Sequence, residues 1–132
     1  MTTLTDNAAA SYFLYLPKYF TGNFIHSIMR IEQIYTGCLA EAAYYIESEG
    51  EAAIIDPLRD VHTYIIEAGK NKASIKYIFE THFHADFVSG HKELAERTHA
   101  HIVFGPTAAP GYKAHIAYDG EVFRIGNITI EA

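Results

Sequence analysis

From Ile28 onward, apolar residues arrive in short runs broken by turn residues, and two of the intervals between runs carry helix periodicity instead. That alternation restricts the fold more than any other feature. A β-strand repeats a face every second residue and an α-helix about every 3.6, so neither pattern can adopt the other's structure without exposing its apolar side. SIMRIEQIYTG, from Ser27 to Gly37, predicts a first strand. EAAYYIES, the turn EGE and AAIID, closed by Asp56-Pro57, predict a β-hairpin whose second strand is largely buried. Asp60 is placed to cap a helix in which Val61, Tyr64, Ile65 and Ala68 share one face, with Gly69 near its end. SIKYIFE, from Ser74 to Glu80, is a short β-branched and aromatic run of the kind that forms a buried strand. GHKELAERTHA returns to helix, with Leu94, Ala95 and Thr98 on one side, and HIVFG, KAHIAY, EVFRIG and NITIEA predict further strands. Turns fall at Gly105-Pro106, Pro110-Gly111, Asp119-Gly120 and Gly126-Asn127. The fold class is mixed α/β.

A chain of 132 residues has room for one domain and its core. Residues 28–132 carry the regular pattern, whereas residues 1–27 form an aromatic-rich segment of unknown role. Tyr12, Phe13, Tyr15, Tyr19, Phe20 and Phe24 suit either a packing arm or an interface. Pro17 and Lys18 interrupt that segment well short of the roughly 20 apolar residues a membrane helix needs, and no basic stretch opens it as in a signal peptide. A formal net charge of −6 lacks the basic footprint of a nucleic-acid binder. The one cysteine, Cys38, cannot form an internal disulfide, which suits the cytoplasm, and it reads as a packing residue.

The chemistry concentrates in THFHADFVSGH, Thr81 to His91, directly after the predicted strand SIKYIFE. Residues two apart in an extended segment point the same way, so His82 and His84 can offer imidazoles to one point and Asp86 can follow. Neutral imidazoles bind Zn, Fe, Mn or Ni, and a neighbouring carboxylate can coordinate, orient a ligand or handle a proton of bound water. His82 and His84 are therefore expected to hold a metal, with Asp86 as the catalytic carboxylate. His91 is expected to begin the following helix. His26, His62, His99, His101 and His115 have no partner visible in the sequence and read as surface or structural residues.

THFHADF resembles the T-H-x-H-x-D-H signature of the metallo-β-lactamase superfamily. Together with IYTGCLAEAAYYI and AAIIDPL, the longer run ETHFHADFVSGHKELAERT is similar to the persulfide dioxygenase branch, particularly its bacterial members fused to rhodanese domains. The resemblance spans about Ile28 to Ala132. It implies an αββα sandwich with the site at one edge of two facing sheets, and a mononuclear Fe(II) that uses oxygen to convert glutathione persulfide to sulfite and glutathione. His82 corresponds to the branch's iron ligand. His84 matches a ligand of dinuclear relatives and in the dioxygenase branch lies near the metal without necessarily binding it; Asp86 corresponds to the second metal site of dinuclear relatives and here is expected to tune the metal's ligands by hydrogen bonding. Phe87 stands where the dinuclear signature has its last histidine, which favours one metal over two.

Further ligands of the superfamily, from an H-T-P-G-H-T-like segment and a G-D segment, have no counterpart before the chain stops at NITIEA. The resemblance therefore implies the N-terminal half of the sandwich, truncated and expected to be inactive as an isolated chain. An exposed sheet face would leave dimerisation open. The alternatives are a zinc-dependent thioester or ester hydrolase of the glyoxalase II kind, and a non-catalytic remnant or interaction domain.

Overall fold

A computed structural model describes residues 29–36 and 41–132. Cys38 and the aromatic N-terminal segment lie outside the described residues, as does His26. The described elements follow the alternation of the sequence. Strands β1 (Arg30–Thr36), β2 (Glu41–Ser48) and β3 (Glu51–Ile55) precede helix α1 (His62–Lys70). Strand β4 (Ser74–Glu80), helix α2 (His91–Thr98) and strand β5 (His101–Phe104) come next. Strands β6 (His115–Ile116), β7 (Val122–Ile125) and β8 (Ile128–Glu131) complete the order. KAHIAY thus contributes only a two-residue strand.

Strands β1 to β6 form one sheet in sequence order. The first three are antiparallel; β3, β4, β5 and β6 are parallel. Glu49 and Gly50, at φ 49° and 75°, make the β2–β3 turn with both central residues left-handed, the geometry that matches strand twist in a two-residue hairpin. β3 lies between an antiparallel and a parallel neighbour, and Ala52, Ala53 and Ile54 are fully buried, as the unbroken apolar run demanded.

One face of the sheet packs against both helices. Ala43, Tyr45, Ile54, Ile75 and Ile78 meet Val61, Tyr64 and Ala68 of the α1 region and Leu94 of α2. The expected helix faces are the buried ones, with Ile65 and Ala95 partly covered. Asp60 accepts the backbone N–H of His62 at 3.1 Å, one position earlier than a side-chain cap would act, because Val61 occupies the cap position. On the other face the β7–β8 hairpin sets Phe123 edge-on against Tyr77 and Phe79, with ring centroids 5.4 and 5.1 Å apart. Three layers follow, helices, sheet and second sheet, in the order expected for an αββα sandwich. The hairpin covers only part of this face: Ile31 and Tyr35 on β1 are 42% and 63% exposed.

Parallel pairing of β3 with β4 and of β4 with β5 brings their C-terminal ends to one edge of the sheet. In open α/β sheets this edge is where ligands bind, because the connecting loops there are free to carry side chains.

Candidate metal centre

Asp56 follows β3 and adopts φ 48°, a region that non-glycine residues rarely enter and one that stores backbone strain at a site. Its N–H donates to Phe79 O at 2.9 Å, which turns the buried side chain toward the loop leaving β4. There Oδ1 accepts the Thr81 N–H at 2.7 Å and Oδ2 accepts the Thr81 hydroxyl at 2.7 Å. One carboxylate thereby fixes the first residue of the histidine loop.

The imidazoles follow from that anchor. His82 and His84 lie with ring centroids 4.2 Å apart, and one ligand-capable atom from each, together with one from Asp56, falls within 4.8 Å of the others. The rings meet because the chain bends, since residues 81–90 form a loop rather than the extended strand the sequence suggested. Hydrogen-bond logic assigns the ring protons. The Thr81 hydroxyl spends its proton on Asp56, so His82 Nδ1, 2.7 Å away, must donate to it, and the lone pair of His82 is on Nε2. His84 Nε2 lies 3.2 Å from Asp56 Oδ1 and donates to it, which leaves the lone pair on Nδ1.

Two neutral imidazoles beside a carboxylate fit a Zn or Fe ion. Metal–nitrogen bonds of about 2.1 Å place donors on one cation at most about 4.2 Å apart, the same scale as the bound on this group. His82 is exposed, so its Nε2 is open to a cation from solvent. Asp56 already accepts from Thr81 with both oxygens, which suits it to orienting the two rings.

Asp86 is exposed on the loop and does not join this group; the carboxylate that does is Asp56. Phe87 packs against His84, its ring tilted by 40° with centroids 4.2 Å apart. Glu41, at the start of β2, senses the same centre. Burial raises its carboxyl above the usual range, the His84 ring opposes that, and the Asp56 and Asp86 carboxylates add to it. His91 begins α2 as expected, and its ring also meets Ser89 and Tyr112. His115 has a partner the sequence did not reveal, Glu121, at 2.7 Å. Asp56 and Glu80 were legible only as the ends of predicted strands. The signal that finds Asp56 is its place at the C-terminal end of a strand parallel to the one feeding the histidines.

The sequence pattern described as metallo-beta-lactamase superfamily matches residues 36–128. The chain belongs to this superfamily. It is 34% identical to a metallo-beta-lactamase from Staphylococcus aureus, whose crystal structure superposes with a TM-score of 0.72 over 80% of this chain and 34% of that one. The crystal structure of ETHE1 from Myxococcus xanthus, 24% identical with a TM-score of 0.68, covers 76% of this chain and 46% of its own, and shows the same fold. A cytoplasmic hydroxyacylglutathione hydrolase of Arabidopsis thaliana is 36% identical over 62 residues, 45% of this chain and 24% of the hydrolase. The chain thus spans a quarter to under half of the length of these superfamily relatives. Among the described residues no helix is long and apolar enough to cross a membrane.

Proposed function

We propose that the site serves a metal-dependent enzyme acting on a glutathione-derived thiol compound, and within that class a mononuclear iron-dependent persulfide dioxygenase. The observation that carries this reading is Phe87. Its ring packs on His84 at 4.2 Å and offers no lone pair at the loop position where a second cation would need a donor. A metal held there would supply, as Fe(II), an electron-donating centre for oxygen and, as Zn(II), Lewis-acid activation. The protein's own part is to present His82 through Nε2 and His84 through Nδ1, and Asp56 holds both through Thr81 and the His84 ring. Phe87 keeps water from one side of the His84 ring, and exposed Asp86 takes up or returns a proton at the rim. A cytoplasmic setting accompanies this reading.

A second reading, zinc-dependent hydrolysis of a glutathione thioester, is favoured by the 36% identity to the Arabidopsis hydrolase. Metal analysis of the purified protein, with oxygen uptake on glutathione persulfide and hydrolysis of a hydroxyacylglutathione thioester, separates the two. One iron per chain with persulfide-dependent oxygen uptake supports the first. Two zinc ions with thioester hydrolysis refute it in favour of the second, and absence of metal binding refutes both.

A further inference from the structure

Glu80, the last residue of β4, has a side chain only 2% exposed. A carboxylate at that depth must be met by donors. Ser89 Oγ lies 2.6 Å from Oε1, His91 Nδ1 3.4 Å from the same oxygen, and His84 Nε2 3.7 Å from Oε2. The network continues outward: His91 Nδ1 is 2.9 Å from Ser89 Oγ, and His91 Nε2 is 2.5 Å from the Tyr112 hydroxyl. The His91 and Tyr112 rings are stacked, 27° from parallel, which fixes the orientation of the imidazole. Glu80, His84, Ser89 and His91 are among the residues lining a cleft of about 340 Å³.

One set of proton positions satisfies these contacts. Ser89 has a single hydroxyl proton, and the carboxylate oxygen at 2.6 Å takes it in preference to the Pro57 carbonyl at 3.0 Å, because a charged acceptor makes the stronger bond. Ser89 then accepts from His91 Nδ1–H, and His91 Nε2 accepts from Tyr112 O–H. Every donor points inward, so each bond polarises the next and the negative charge collects on Glu80 beside the His84 ring. Burial and the Glu80 charge both raise the Tyr112 hydroxyl above its usual range, which keeps it a donor. Asp56 alone holds the His84 N–H weakly: its Oδ1 is 3.2 Å from Nε2 and already accepts the Thr81 N–H at 2.7 Å.

We propose that Glu80, held by Ser89, His91 and Tyr112, is a positioning residue: its carboxylate, 3.7 Å from His84 Nε2, adds a field that favours the Nε2–H form whose proton Asp56 accepts, and so keeps the Nδ1 lone pair available to a cation. The inference rests on reading His84 as a metal donor, yet the ring form can be measured with no metal present. Nitrogen-15 NMR of the imidazoles in the metal-free full chain, at a pH where they are neutral, should show His84 protonated at Nε2. Glu80→Gln should give a mixture of the two ring forms and weaken Zn²⁺ binding, followed by calorimetry, about 10- to 100-fold. Tyr112→Phe removes one hydroxyl at the outer end of the network and should shift both readouts the same way by a smaller factor, so the test survives if Glu80→Gln does not fold. An unchanged His84 ring form in the folded variants overturns the proposal, even if melting temperatures fall. A shifted ring form in a protein that binds no Zn²⁺ upholds the positioning role and removes the metal reading instead.

Discussion

Gly90 closes the histidine loop, and replacing it with alanine tests how tightly that loop is held. A β-carbon at this position would lie 2.3 Å from Leu58 O, 2.5 Å from Val61 Cγ1 and 3.3 Å from Arg59 O. Gly90 has φ −84°, which alanine adopts freely, so the whole cost is steric. Neither near neighbour can swing aside, because one is backbone and the other belongs to a side chain 1% exposed in the core. The backbone at residue 90 must retreat and stretch the 3.0 Å bond from its N–H to Pro57 O. Overpacking costs about 1–3 kcal/mol and a weakened buried hydrogen bond about 1, giving about 2–4 kcal/mol together. At about 3–5 °C per kcal/mol for a domain of this size, the melting temperature should fall by about 6–20 °C. Thermal unfolding followed by circular dichroism measures it. Adding Val61→Ala should rescue only part of the loss, since the Leu58 carbonyl still obstructs. A fall of less than about 2 °C for Gly90→Ala would refute the reasoning.

Thr81→Val deletes the hydroxyl that ties Asp56 Oδ2 to His82 Nδ1. Urea unfolding should show a loss of about 1.5–3 kcal/mol, as for a hydrogen bond to a charged group, and Zn²⁺ affinity should fall, while Thr81→Ser keeps both. Glu51 accepts the Gly126 N–H at 2.7 Å and the Lys76 ammonium at 3.0 Å, and these partners hold its carboxyl below the ordinary 4.5. A carboxyl lowered in the folded state contributes stability above its unfolded value, and that contribution disappears as pH falls through the folded value. The melting temperature of Glu51→Gln should therefore depend less on pH below 4.5 than that of the unsubstituted protein, and equal slopes would refute this role.

What the sequence revealed was whatever depended on neighbours along the chain. Ser74–Glu80 is the strand its composition predicted, and Tyr64, Ala68 and Leu94 are buried because periodicity alone decides which side of a helix is apolar. The meeting of His82 and His84 was also legible, although a bend achieves it where an extended backbone was expected. Asp56 was not legible as part of the site. Its place there depends on parallel pairing with a strand more than a helix away and on a left-handed backbone, neither of which leaves a local pattern. The same holds for Glu80, whose partner His91 is itself oriented by Tyr112 from the loop after β5. Asp86, selected because it follows the histidines in the chain, is exposed and lies outside the Asp56, His82 and His84 group.

The β7–β8 hairpin is fastened to the β2–β3 turn by Gly126 N–H to Glu51, across 75 positions, and by Asn127 N–H to Ser48 Oγ, across 79. Joining ends that far apart costs about 4 kcal/mol of chain entropy, against very little for a tight hairpin. That cost falls once the strands and helices between have shortened the distance by folding, so the seam draws its stability from the rest of the described structure.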